Sequence, residues 1–181
     1  MIRKWRVLKQ ERLDSLKIFT PYRVESLSPR TGRHHTFYVL DTPDWVNVVA
    51  VTAGGEVVLV RQYRHGTRTV TVEIPGGIVD TGETPLEAAR RELREETGFV
   101  APDWKRIGLV HPNPAFQDNR CYTFLARDAR CEGEPRLEGS EDIEVAVVPE
   151  HEFLSYVRDG TITHSLVVAA AYWYELYKRG S

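Results

Sequence analysis

The stretch "GGIVDTGETPLEAARRELREETGF", Gly76 to Phe99, places six carboxylates in 24 residues, and three of them, Glu92, Glu95 and Glu96, fall within five positions. Its centre reads as a helix. Thr84 is a good N-cap, Pro85 suits the first helical position, and Glu87, three residues after the cap, completes a capping box. Gly98 is the expected terminator, so the spacing predicts a helix over 85–97. At about 100° per residue, Leu86, Ala89, Leu93 and Thr97 share one side. Glu92, Glu95 and Glu96 share a neighbouring side. Ala88 lies one turn before Glu92 on that acidic side, where its small side chain leaves room for something to approach.

Like charges at these spacings repel one another. The ordinary outcome is a solvated face, with the glutamates paired to Arg90, Arg91 and Arg94. Two features favour another outcome. Packing at i, i+3 and i+4 maximises the repulsion unless a cation stands among the carboxylates. The helix also follows "EIPGG", a glycine turn that can bring backbone carbonyls close to a ligand. Hard oxygen donors on one face suit Mg²⁺ or Mn²⁺, above all where a substrate phosphate completes the coordination.

Outward from this segment, the chain is ordinary. It has 181 residues, 41% of them hydrophobic and 28% charged, with a formal net charge of −2. This is the composition of a globular protein of one domain with a small appendage. The charge supplies no general reason to bind nucleic acid or an anionic membrane. The charged start, "MIRKWRVLKQERLDSLKIF", lacks an apolar core of signal-peptide length. No run approaches the roughly 20 apolar residues of a membrane span. Cys121 and Cys131 have neither metal-site nor redox spacing and read as free thiols of a cytoplasmic protein.

Strands flank the acidic helix. "KIFTPYRVESL" and "RHHTFYVLDT" form a hairpin around "SPRTGR". "WVNVVAVT" and "EVVLVRQYRH" form another around Gly54-Gly55. "TVTVEIPGG" alternates and then breaks at Pro75-Gly76-Gly77. Further strands are expected near "WKRIGLVH", "NRCYTFLARD" and "IEVAVVP". Two helices follow, one from about Pro149 to Arg158 and one over "HSLVVAAAYWYELYKR". The second is apolar around most of its circumference and so is expected to be buried. The pattern predicts a mixed α/β layered fold.

The acidic segment resembles the Nudix box, G-x5-E-x7-R-E-U-x-E-E-x-G-U, where U is a bulky apolar residue. Gly77, Glu83, Arg91-Glu92-Leu93, Glu95-Glu96 and Gly98-Phe99 fill every defined position. A long match at fixed spacing is far more specific than a lone glycine motif. The resemblance implies an α/β (α+β) fold, the Nudix α/β/α sandwich with a mixed sheet, here preceded by an N-terminal antiparallel strand segment. It implies Mg²⁺ (or Mn²⁺) held by Glu92, Glu95, Glu96 and the carbonyl of Gly76. Glu83 and Arg91 would pair with each other and orient the loop. The implied activity is hydrolysis of a nucleoside diphosphate linked to another moiety.

Beyond the box, "HPNPAFQDN" places Pro114 sixteen residues after Gly98. In this the chain resembles the ADP-ribose and nucleoside-diphosphate-sugar pyrophosphatases. That resemblance implies a nucleoside monophosphate and a sugar phosphate as products. Strand alternation puts Arg61 and Arg64 of "VRQYRHG" on different faces, and Arg64 is the one expected to reach a phosphate. The catalytic residues would be Glu96 and a general base from "LEGSEDIEVAVVP": Glu141, with Glu138 and Glu144 as alternatives. Residues 1–44 resemble the segment that such enzymes use to form intertwined homodimers, with 45–181 as the hydrolase domain. Tyr22 or Phe37 could then stack on a base, although core packing is the commoner role for either. Other substrates remain open, namely dinucleoside polyphosphates, nucleotide cofactors or damaged nucleoside triphosphates. So does a non-catalytic nucleotide-binding sensor, although a pure binder need not keep the intact acidic set.

Overall fold

A computed structural model describes residues 1–137, 139 and 142–180. The chain forms two compact units, one of residues 1–43 with 111–120 and one of residues 44–110 with 121–181. The first unit is a three-stranded antiparallel sheet in the order β1 (Arg6–Arg12), β2 (Thr20–Leu27), β3 (His34–Asp41). The β2–β3 hairpin closes where Gly32 takes the left-handed conformation and Ser28 exchanges backbone hydrogen bonds with Arg33 and Gly32. Sequence reading misses β1, whose "RVLKQER" is almost wholly exposed and lacks an apolar alternation. It also does not foresee that 111–120 groups with this unit. The Leu40 N–H donates to the Phe116 carbonyl at 2.7 Å, and the Asn119 amide donates to the Pro43 carbonyl at 3.0 Å.

The second unit holds β4 (Trp45–Thr52), β5 (Glu56–Arg64), β6 (Thr69–Glu73), β7 (Gly76–Ile78), α1 (Pro85–Thr97), β8 (Phe99–Val100), β9 (Asp103–Val110), β10 (Cys121–Cys131), β11 (Ile143–Pro149), α2 (Glu150–Arg158) and α3 (Ser165–Arg179). Its sheet runs β11-β5-β4-β10-β8, with β6 beside β5, β7 beside β4 and β9 beside β10. β4 and β10 pair in parallel and the other pairs are antiparallel, so the sheet is mixed.

The central strand explains the layers. "WVNVVAVT" shows little polar alternation because both of its faces are covered. Val46, Val48 and Ala50 of β4 pack with Ala88, Ala89 and Leu93 of α1. On the opposite face Val49 joins Phe153 of α2 and Val167, Ala170, Ala171 and Tyr174 of α3. The fold is therefore the expected α/β/α sandwich. Burying each such Val, Leu or Phe is worth about 1.5–3 kcal/mol, and this two-sided core fixes α1 against the middle of the sheet. α3 is apolar for a specific reason: Leu166, Val167, Ala170, Ala171 and Tyr174 line one buried face, while Tyr172 on the other face is exposed. Gly108 of β9 lets Trp173 close in, since a Cβ there would lie 2.2 Å from the indole.

α1 has the boundaries that its caps dictate. The Thr84 hydroxyl accepts from the Glu87 N–H, and the Glu87 carboxylate accepts from the Thr84 N–H at 2.8 Å. At the other end Gly98 has φ 72° and donates its N–H to the Arg94 carbonyl. A Cβ at Gly98 would lie 2.0 Å from the Gly133 carbonyl oxygen, a backbone atom that cannot swing aside. Gly98→Ala is therefore expected to lower stability by more than the roughly 1–2 kcal/mol of the left-handed conformation alone. Thermal denaturation should show this as a fall in Tm of several degrees; an unchanged Tm would remove the clash argument.

Candidate active site

Two elements converge on the acidic face. β6 ends at Glu73 and the chain turns through Ile74-Pro75 into β7, which lies along β4 with Asn47 opposite Gly76. α1 then returns over the sheet. The close approach of turn and helix needs the two glycines. A Cβ at Gly76 would lie 2.2 Å from the Val46 carbonyl oxygen, and one at Gly77 would lie 2.2 Å from Oε1 of Glu92. The space that Gly77 leaves open is the space the Glu92 carboxylate uses.

The glutamates are graded by depth. Glu96 is buried, and its Oε2 accepts the Gly76 N–H at 2.9 Å. Glu92 is largely covered and Glu95 is the most open of the three. Arg91 ties the group together. Its Nε and Nη2 donate to the two oxygens of Glu83, each at 3.0 Å, and Nη2 also donates to the Ile78 carbonyl at 2.9 Å. Nη1 donates to Glu92 at 2.9 Å and to Glu95 at 3.1 Å. The hydrogen bond from Arg91 holds the Glu83 carboxyl below its usual range. The hydrogen bond to Glu83 leads the causes that push the Arg91 guanidinium further up.

The structure also corrects one expectation. Ala88 is not an open place on the acidic side: it is fully buried in the core against β4. Ala88 packs in the core with β4 and Glu96 turns toward the Gly76 N–H, so what looks like one stripe in projection differs in depth along its length.

Arg61 and Arg64 do part company. Arg61 lies 3.6 Å from Glu144 across the β5–β11 pair, with both side chains exposed. Arg64 forms a two-pronged pair with Glu73, Nε to Oε1 at 2.8 Å and Nη2 to Oε2 at 2.7 Å. Sequence reading overlooked Glu73. The available signal was a carboxylate at the end of the alternating "TVTVE", on the strand face shared with Thr71 and just before the glycine turn. Sequence reading also overlooked His164, which stands at the N-cap position of α3 without a side-chain capping bond and has a buried Nδ1 with no hydrogen-bond partner among the described residues. Tyr22, Phe37 and Pro114 belong to the first unit. Tyr22 stands opposite Val39 in the β2–β3 ladder, Phe37 packs edge-on to Trp5 at 5.3 Å, and Pro114 is exposed in a turn. Glu138 and Glu141 lie outside the described residues.

A family model described as the NUDIX domain matches residues 41–168, a span that contains α1 and the whole of the sheet around it. The chain belongs to the NUDIX family. It is a Nudix hydrolase, and enzymes of this family in general use divalent metal cations. A Bacillus subtilis (strain 168) protein described as ADP-ribose pyrophosphatase is 30% identical over 172 residues, covering 94% of this chain and 92% of the relative. A Bacillus methanolicus protein described as methanol dehydrogenase activator is 27% identical over the same shares of the two chains. Among solved structures, one titled as an ADP compounds hydrolase superposes with a TM-score of 0.87 over 99% of this chain and 97% of that one, at 22% identity. That last likeness concerns the Nudix fold alone.

The Glu83–Arg91 pair carries a pH signature. A carboxylate whose pKa is depressed on folding contributes stability that is fully present above its unfolded value, about 4.3. The contribution is lost as pH falls through the folded value. The stability difference between wild type and Glu83→Gln should therefore be constant at neutral pH and shrink only below about pH 4.3. Denaturant unfolding across pH 3–7 is the measurement, and a difference that instead grows on acidification would contradict the pairing.

Proposed function

We propose that this chain hydrolyses the diphosphate linkage of ADP-ribose or of a nucleoside diphosphate sugar, releasing a nucleoside monophosphate and a sugar phosphate. The observation that carries the reading is the intact carboxylate set on α1, facing a glycine turn, in a chain aligned almost end to end with an ADP-ribose pyrophosphatase from Bacillus subtilis. A relative of equal span carries a different description, so the substrate has to be argued from the site.

Glu92, Glu95, Glu96 and the Gly76 carbonyl would hold Mg²⁺ or Mn²⁺. The fit rests on donor chemistry, since the set is wholly of hard oxygens, and on Gly77, whose missing side chain leaves room for Glu92. Among the described residues no three His, Cys, Asp or Glu side chains already converge on one point. When bound, such a cation neutralises phosphoryl oxygens and makes a bound water more acidic. The protein's own groups do the rest. Glu83 and Arg91 hold the turn against α1. Arg64 takes a diphosphate oxygen. Glu141 accepts a proton from the attacking water, whose oxygen bonds to phosphorus while the bridging P–O bond breaks and its electrons leave with the departing phosphate. Tyr22 and Pro114 are assigned to substrate binding by the resemblance to the ADP-ribose and nucleoside-diphosphate-sugar pyrophosphatases.

The test is a panel of ADP-ribose, nucleoside diphosphate sugars, dinucleoside polyphosphates and oxidised nucleoside triphosphates with Mg²⁺, both products being identified. ADP-ribose or a diphosphate sugar should lead, with a nucleoside monophosphate among the products. A leading polyphosphate or triphosphate would reassign the substrate, and no turnover of any compound would favour a nucleotide sensor. In the same assay Glu96→Gln and Glu141→Gln should each lower kcat at least about a hundredfold. Glu138→Gln and Glu144→Gln should lose much less. If Glu141→Gln keeps its kcat while one of the other two collapses, the base is misassigned.

We also propose a cytoplasmic homodimer joined through residues 1–44. The support is the first unit's surface, where Trp5, Val7, Leu8, Leu16, Ile18, Phe37 and Tyr38 are exposed, apolar side chains that a second copy would cover. Light scattering should give twice 20.7 kDa; a fully active species at the single-chain mass would exclude a site that needs two copies.

A further inference from the structure

Glu73 belongs to no part of the carboxylate motif, yet it is among the most deeply placed charges in the molecule. It is 3% exposed. A carboxylate buried to that degree costs stability unless it is paired and hydrogen-bonded, and this one is. Its Oε1 accepts from Arg64 Nε at 2.8 Å and from the Thr71 hydroxyl at 2.6 Å, and its Oε2 accepts from Arg64 Nη2 at 2.7 Å. Burial alone would raise its pKa. The hydrogen bonds from Arg64 and Thr71 and the charge of Arg64 outweigh that, so the carboxyl lies below its usual range.

The ladder shows how far the arginine is turned. Arg64 stands opposite Thr69, Gln62 opposite Thr71 and Val60 opposite Glu73. An arginine extended straight from its own position would lie beside Thr69. Instead the guanidinium reaches back along β6, past Thr71, to the residue that precedes the Ile74-Pro75-Gly76 turn. The two sides of the pair differ sharply in depth, since the Arg64 side chain is 42% exposed and that of Glu73 4%. The buried anion is thus an anchor, and the half-exposed arginine is what it anchors. A two-pronged arginine–carboxylate pair fixes the guanidinium plane as well as its position, and a planar fork held in advance binds a phosphate with less loss of side-chain freedom.

We propose that Glu73 is a positioning residue for substrate binding: with Thr71 it holds the Arg64 guanidinium at the end of β6, in the orientation that receives the diphosphate. The inference rests on the reading of Arg64 as a phosphate contact. Glu73 does not touch the substrate. It acts through Arg64, and its contribution is to affinity, because the fork is needed in ground state and transition state alike.

The test is a double-mutant cycle in the full-length protein at saturating Mg²⁺, with ADP-ribose as substrate. Arg64→Gln, which keeps a neutral donor beside the buried carboxylate, should raise KM about tenfold or more. Glu73→Gln should raise KM by a similar factor with kcat within about twofold, and should add nothing in the Arg64→Gln background. Mn²⁺ affinity should be the same in all four proteins. An unchanged KM for Arg64→Gln would remove the phosphate contact itself, and the proposal with it. A raised KM for Arg64→Gln, combined with a silent Glu73→Gln or with independent, additive effects, would overturn the positioning role alone. If Glu73→Gln does not fold, Thr71→Val decides. It removes one hydrogen bond on Glu73 while nearly preserving shape, and should raise KM about threefold. An unchanged KM in Thr71→Val would then overturn the proposal.

Discussion

One guanidinium carries the acidic face. Arg91 donates to Glu83, Glu92, Glu95 and the Ile78 carbonyl at once. Without such a counter-charge, glutamates at i, i+3 and i+4 would destabilise the helix that presents them. The puzzle posed by the clustered carboxylates therefore has a part-answer within the chain, whatever cation the face later receives. The same contacts staple the turn before α1 to the helix, since Ile78 belongs to β7 and Glu83 to the loop between them. Breaking a charge network of this kind by deleting one partner leaves the others uncompensated.

That network works only because α1 is held at a fixed depth. β4 is covered on both faces, by α1 on one side and by α2 and α3 on the other. The helix approaches closely enough that Ala88 and Ala89 are fully buried and Gly77 must lack a side chain. Small residues at 77, 88 and 89 thus set how near the carboxylates come to the backbone of the turn. The Gly76 N–H reaching Glu96 is the direct result.

A second charge pair is built by the same logic on a different element. Arg64 and Glu73 stand on neighbouring strands, one half-exposed and the other deep, and the deep member leads into the glycine turn. In both networks an arginine is held by carboxylate oxygens, Arg91 by three glutamates and Arg64 by Glu73. The site is thus made of directed donors and acceptors fixed by a two-sided core, with little left to flexible surface charge.

The sequence by itself determined α1 and its ends, because caps and periodicity are local: Thr84, Pro85, Glu87 and Gly98 act on their own helix and need nothing distant. It also determined the hairpin strands, the presence and apolar character of α3 and the match to the carboxylate motif, all of which are patterns of short range or fixed spacing. Tertiary structure decided what depends on neighbours remote in the chain. Ala88 looks open on a helical projection and is buried because β4 lies beneath it. Glu73 looks like one more strand residue and is an anchor because Arg64, nine positions away, folds back across the ladder. β1 has no apolar alternation to announce it, and its strand state comes from pairing with β2. The grouping of 111–120 with the N-terminal strands likewise depends on hydrogen bonds to Leu40 and Pro43. Spacing fixes which side chains share an element, and only packing fixes how deep each one lies and which charge it meets.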